Sequence, residues 1–273
     1  MTESAVPRLI PTAEPFFFPG GATGCLLIHG FTGAPKEMLW MGEYLAEHGH
    51  TVLGVQLAGH ATQPIDLLRA RWTDWLVSVE AGYRLLESYL RRSKNAPIQR
   101  PGIYAMGLSM GGVLALTLAS QAYQAAYPLA GVVGISTPYD LPPDWRLRYL
   151  KLLQYIVPQI AKGEPDWHNP EAGKDHVDYP AYPTRAVLEL RDLLAVMRGA
   201  LPTIRVPTLL IHSKEDRGVL PENMPKIYDH LGSSQKEMFW VENSGHVIVR
   251  EPPRQQVFEH ILHFIDSTSQ PDE

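Results

Sequence analysis

Residues 104–123, YAMGLSMGGVLALTLASQAY, carry no charge, and the uncharged run around them extends over residues 101–139. Roughly 20 apolar residues can span a bilayer. Glycine decides against that reading. Gly107, Gly111 and Gly112 divide the stretch into a strand-like run, GIYAMG, and a helix-like segment over 109–124. Each piece is short for a membrane span. A charge-free strand followed by a charge-free helix fits the centre of a sheet covered on both faces.

The division falls at Gly107-Leu108-Ser109-Met110-Gly111-Gly112. A Gly-x-Ser-x-Gly between strand and helix is the context of a nucleophile elbow. The serine sits on a sharp turn with strained backbone angles, and side chains two residues before and after it would collide. The turn lifts the hydroxyl clear of the sheet and aims the positive helix end at it. Ser109 is therefore the candidate nucleophile.

Outward from the elbow, short apolar runs alternate with helical periodicity. GCLLIHG, HTVLGVQL, LAGVVGIST, VPTLLIHS and KEMFWVEN read as strands. Helices are expected over 36–48, 72–90 and 254–266, the second with Trp75, Val79, Tyr83, Leu86 and Leu90 on one face. Such alternation predicts an α/β fold with a mostly parallel sheet and helices on both faces. Ligands in such sheets bind at the carboxyl ends of the strands.

One region breaks the pattern. Residues 140–200 show no strand signal, so a small helical cap is expected there, with 1–139 and 201–273 forming the core. The segment from Trp145 to Ile160 reads as an apolar helix, expected to cover the pocket and line an acyl channel with Trp145, Tyr149, Leu153 or Ile156. His168 and His176 fall in the polar part of the cap.

A serine nucleophile needs a base, and the base needs a carboxylate that orients it. Of eleven histidines, His246 in NSGHVI follows a strand and precedes the last helix, on the catalytic edge. His29 and His212 fit structural roles. The carboxylate should follow the preceding strand, where KED offers Glu215 and Asp216. Asp216 is preferred, with Glu215 and Asp140 as rivals. The oxyanion of acyl transfer needs two N–H donors. Met110 follows the nucleophile and supplies one. The loop His29-Gly30-Phe31-Thr32-Gly33 supplies the other from Phe31, whose ring also offers an apolar wall.

The bulk numbers agree with a soluble enzyme. The 273 residues, 45% hydrophobic and 19% charged, allow one large domain. A net charge of −5 without a basic run excludes a nucleic-acid binder. One cysteine excludes an internal disulfide framework and fits a reducing cytoplasm. No signal peptide is expected, no zinc-like spacing of His, Cys and Asp occurs, and no cofactor is called for.

LLIHGFTG, GLSMGG, KED and NSGHVI together resemble the bacterial α/β-hydrolase carboxylesterases, a group that includes thermophilic esterases and a monoacylglycerol lipase. WTDWLVSVEAGYRLL and the layout from YPTRAVLELRDLL into IRVPTLLIHS share the resemblance, which covers residues 24–265 and is weakest over 140–176. It implies an α/β-hydrolase fold, a triad of Ser109, Asp216 and His246, and an oxyanion hole of Phe31 and Met110. It implies hydrolysis of short- to medium-chain carboxylic esters. The expected partner is a small-molecule ester, with no stable membrane insertion and a monomer or weak homodimer. The alternatives are a monoacylglycerol lipase, a serine hydrolase of lactone, peptide or carbon–carbon bonds, lipase-like action at a lipid surface, and a non-catalytic small-molecule binder.

Overall fold

The computed structural model describes residues 8–92, 102–142, 149 and 156–269. Seven strands form one sheet: β1 (Phe16–Phe18), β2 (Gly24–Ile28), β3 (Thr51–Val55), β4 (Ile103–Leu108), β5 (Gly131–Ile135), β8 (Thr208–Ser213) and β9 (Lys236–Val241). Their order is β1-β3-β2-β4-β5-β8-β9. All neighbours run parallel except β1 against β3. This is the α/β-hydrolase architecture, with the elbow strand β4 in the middle.

Every residue of β2, β3, β4, β5 and β8 is buried. Continuous apolar runs become parallel strands because helices cover both faces. Alternation then assigns the faces. Leu26, Ile28, Ile103 and Ala105 join one core cluster, while Cys25, Leu27, Tyr104 and Met106 join the other. The first face is covered by α3 (Trp72–Arg92), α4 (Met110–Leu118), α7 (Thr184–Ala200) and α8 (Asn223–His230). The second is covered by α1 (Leu39–Glu47) and α9 (Arg254–Ser269). Trp75, Val79, Tyr83, Leu86 and Leu90 of α3 are all fully buried, as their spacing predicts. Each such burial contributes roughly 1.5–3 kcal/mol relative to exposure.

The uncharged stretch is core. All nine residues of α4 are buried, and the helix packs on β4, β5, α3 and α7. Among the described residues no helix is long and apolar enough to cross a membrane. The helix expected over 109–124 is two helices. It stops after Leu118, Ser120 is extended, and α5 (Gln121–Gln124) starts anew with the Ser120 carbonyl accepting from Tyr123 and Gln124.

Two further differences are local. β1 is not legible in FFF, because three aromatic residues carry no alternation. It pairs at the sheet edge, where the Phe16 ring fills space that a Cβ on Gly54 or Gly42 would occupy. The region 140–200, expected to be free of strands, contains β6 (Gln159–Ala161) paired antiparallel with β7 (Ala181–Pro183). Pairing across 20 residues leaves no local signal in two three-residue strands. Between them lies α6 (Pro170–Lys174), capped by the Asn169 side chain. Helix α7 lies in the same region, yet its Ala186, Leu193, Leu194 and Met197 are buried in the main core. The helix expected over 145–160 ends differently: Gln159 and Ile160 are extended, and the rest lies largely outside the described residues.

Candidate active site

Ser109 sits between β4 and α4 with φ 55° and ψ −118°, angles that a non-glycine residue adopts only under constraint. The constraint is close packing. A Cβ on Gly107 would lie 2.0 Å from the Gly111 carbonyl carbon, and one on Gly111 would lie 2.2 Å from the Ile28 carbonyl oxygen. The Ser109 N–H donates to Ile135 O at 2.7 Å, which anchors the turn to β5. Positive φ gathers around this edge: Thr32, Ser136 and Asn243 share it with Ser109, in loops after β2, β5 and β9.

His246 lies on the loop after β9. Its carbonyl accepts the Ser136 hydroxyl at 2.8 Å, so it is tied to the residue next to the one that anchors Ser109. Its Nδ1 lies 2.8 Å from Asp216 Oδ2. Asp216 follows β8 and is buried. Its Oδ1 accepts the N–H groups of Gly218 and Val219, both at 2.8 Å. His212 Nε2 stands 3.3 Å from Oδ2 and donates to Val219 O at 2.9 Å. Among the described residues no hydrogen bond joins His246 Nε2 to Ser109 Oγ; such bonds often tighten only when substrate is bound.

The electrostatics follow from this packing. Burial opposes ionisation of Asp216, but His246 and His212 hold its carboxyl well below the usual range. Burial also acts to lower the His246 pKa, but Asp216, with Asp166 and Glu37 farther out, raises it above the ordinary 6.5. Because ionised Asp216 only accepts, His246 carries its hydrogen on Nδ1 and presents a bare Nε2.

The rivals are engaged elsewhere. Asp140 is half exposed and pairs with Arg198 at 2.9 Å. Glu215 accepts the Asn243 N–H at 2.8 Å and faces His168. His29 has a structural role: Nδ1 donates to Gly30 O at 2.9 Å and Nε2 accepts the Leu57 N–H at 3.2 Å. Burial pushes its pKa down to about 4, so it stays neutral.

Gly30 packs on the elbow, and a Cβ there would lie 3.5 Å from Ser109 Cβ. The register places it so, since Ile28 pairs with Gly107 and two further residues lead to Gly30 and Ser109. Among the described residues no acceptor takes the N–H of Phe31 or of Met110, the first residue of α4. The Phe31 ring is stacked on Tyr182 at 5.7 Å and meets Trp75 edge-on at 5.9 Å. Expected channel residues fare otherwise. Ile156 is 78% exposed and Tyr149 48% exposed. Trp145 and Leu153 lie outside the described residues. An apolar cluster that does include Phe31 consists of Val187 and Leu188 with Leu141, Ile160 and Tyr182. A groove of about 530 Å³ lined by Gln56, Asp66 and Arg69 has none of Ser109, Asp216, His246, Phe31 or Met110 in its lining.

Sequence reading missed Glu37 and the buried position of His176. Glu37 Oε2 accepts the Gly30 N–H at 2.7 Å, and Oε1 lies 3.4 Å from His176 Nε2. His176 also approaches Asp178, which pairs with Lys162. The one available signal was the place of Glu37, four residues beyond Gly33. Asp166 touches the loop that carries His246, where a Cβ on Gly245 would lie 2.2 Å from its carbonyl oxygen.

A family model described as serine aminopeptidase, S33 (Hydrolase_4) matches residues 22–253. The chain is 30% identical over 258 residues to a carboxylesterase of Bacillus subtilis (strain 168), covering 94% of this chain and 98% of that protein. It is 33% identical over 255 residues to a thermostable monoacylglycerol lipase of Bacillus sp. (strain H-257), covering 92% and 94%. Among solved structures it is similar to a chain from LipS and LipT, two metagenome-derived lipolytic enzymes. That match has a TM-score of 0.85 and 31% identity, covering 95% of this chain and 100% of the other. The match over residues 22–253 and the seven-stranded sheet place the chain in the Hydrolase_4 family of α/β hydrolases.

Proposed function

We propose that the protein is a serine carboxylic ester hydrolase. The observation that carries the reading is the 2.8 Å contact between His246 Nδ1 and Asp216 Oδ2, which leaves Nε2 free to act as a base. Ser109 Oγ attacks the ester carbonyl while His246 Nε2 takes its proton, and Asp216 stabilises the imidazolium. The carbonyl oxygen becomes an anion facing the unpaired N–H groups of Phe31 and Met110. Collapse expels the alcohol with the proton from His246. Water, deprotonated by the same histidine, then releases the acid and regenerates Ser109.

The carboxylesterase and monoacylglycerol lipase names of relatives matched over nearly their whole length support an ester substrate. The apolar cluster of Val187, Leu188, Leu141, Ile160, Tyr182 and Phe31 supports an acyl wall suited to short and medium chains. The test is hydrolysis of p-nitrophenyl esters of increasing acyl length, with monoacylglycerols and aminoacyl nitroanilides in parallel. We expect turnover of esters, and loss of more than about 99% of it in Ser109→Ala. Nitroanilide turnover without ester turnover would transfer the reading to peptide bonds, the chemistry named in the family description. An active Ser109→Ala would overturn the mechanism.

A further inference from the structure

The N–H of Phe31 is aimed by the peptide group it shares with the Gly30 carbonyl, because that group is planar. His29 Nδ1 holds this carbonyl at 2.9 Å, and the Gly33 N–H reaches it at 3.2 Å. The preceding peptide is held from its other side, where the Gly30 N–H donates to Glu37 Oε2 at 2.7 Å. The loop is under strain, since Thr32 has φ 64°, and it needs such ties to keep one conformation. Glu37 is 5% exposed. Its seat exists because residue 33 is glycine: a Cβ there would lie 2.2 Å from Oε1.

The second carboxylate oxygen faces the segment between α6 and β7, with His176 Nε2 at 3.4 Å. Nearby, the Lys162–Asp178 pair ties that segment down, and Tyr182 of β7 stacks on Phe31. We propose that Glu37 is a positioning residue of the oxyanion hole, and that His176 docks on the same carboxylate, so that loop geometry and the seating of the 156–183 segment are linked. The inference rests on Ser109 as nucleophile and Phe31 as oxyanion donor.

The charge state of Glu37 gives the linkage a signature. The charged and titratable groups around it are His176, Asp178 and Lys162 of the docked segment and His246 of the base loop. Lys36, its sequence neighbour, is bound to Asp175 and Thr12. Burial pushes the Glu37 carboxyl up to about 7, and burial pulls His176 down to about 4. His176 is therefore neutral near pH 7, and the Glu37 carboxyl titrates beside His246, whose own pKa is raised. The ionised form makes the stronger, charge-assisted bond to Gly30. It also raises the His246 pKa.

The experiment is the pH profile of kcat and KM for a p-nitrophenyl ester, measured on the full chain as wild type, Glu37→Gln and Glu37→Ala. The wild type should show an acid limb broader than a one-proton curve, because protonation of Glu37 removes the charge that raises the His246 pKa. Glu37→Gln keeps an acceptor for Gly30 without a titration. It should retain kcat within about threefold at pH 8.5, with a one-proton limb displaced to lower pH. Glu37→Ala should lose kcat about 10- to 100-fold with KM within about twofold, as expected for a misplaced catalytic group. A Glu37→Ala kcat within about twofold of wild type, or a Glu37→Gln limb coincident with wild type, overturns the inference. If the alanine variant does not fold, the glutamine profile decides. A wild type that turns over no ester sinks the functional reading together with this one. An active, Ser109-dependent wild type insensitive at Glu37 sinks this one alone.

Discussion

Replacing Asp216 by Asn changes one oxygen to an NH2 and should cost far more than a lost charge. Oδ1 receives two backbone donors, from Gly218 and Val219 at 2.8 Å each. An amide must therefore place its oxygen there, since the opposite orientation sets NH2 against two fixed N–H groups. Each buried donor left unpaired costs about 1–3 kcal/mol. The NH2 is thus forced to the Oδ2 position, facing His246 Nδ1. His246 must then accept at Nδ1 and carry its hydrogen on Nε2, where it cannot take the Ser109 proton. A wrong tautomer of this kind lowers kcat about 10⁴-fold, or about 5.4 kcal/mol in the barrier. The same NH2 meets the His212 Nε2–H, 3.3 Å from that position, and the donor–donor contact should remove about 1–3 kcal/mol of stability. The assays are p-nitrophenyl ester hydrolysis and urea unfolding. Retention of more than about 1% of kcat in a folded Asp216→Asn protein would refute the tautomer argument.

Three other outcomes follow from the same contacts. Gly111→Ala places a Cβ 2.2 Å from the Ile28 carbonyl oxygen; backbone cannot yield as a side chain would, so about 2–3 kcal/mol of stability should be lost, with an unchanged urea midpoint as the contrary result. The acid limb of kcat/KM should have its midpoint above pH 6.5, because His246, as the proposed base, must be neutral and its pKa is raised; a profile flat to pH 5 would exclude His246 as the base. Asp175 bridges Lys36 at 2.6 Å and the buried Arg250 at 2.7 Å, and these bonds hold its pKa below 3.8. A depressed pKa means that the stabilisation is present above the ordinary carboxylate range and fades as pH falls below it. Asp175→Asn should cost about 1–2 kcal/mol at pH 7, discounted because Asp175 is half exposed, and should flatten the stability loss between pH 5 and 3; identical unfolding curves at pH 7 would argue that water replaces the bridge.

Much of the frame was legible along the chain because its signals are local. Glycines around Ser109 mark a turn no larger residue tolerates. The charge-free runs mark strands and a helix buried all round, and α3 shows its inner face by spacing alone. Asp216 and His246 were readable as candidates since each directly follows an apolar run, which in a parallel sheet means the reactive edge. The tertiary structure alone decided which groups meet. Only the register of β8 against β9, and the loops beyond them, brings His246 to Asp216 while Glu215 and Asp140 find other partners. Only the fold carries His176 across 139 residues to Glu37, and only pairing at a distance makes strands of Gln159–Ala161 and Ala181–Pro183. The physical reason is common to all of these. Turn strain and burial are properties of a residue and its near neighbours, so they leave a mark in sequence. A hydrogen bond between distant side chains depends on the placement of whole elements, and it leaves none.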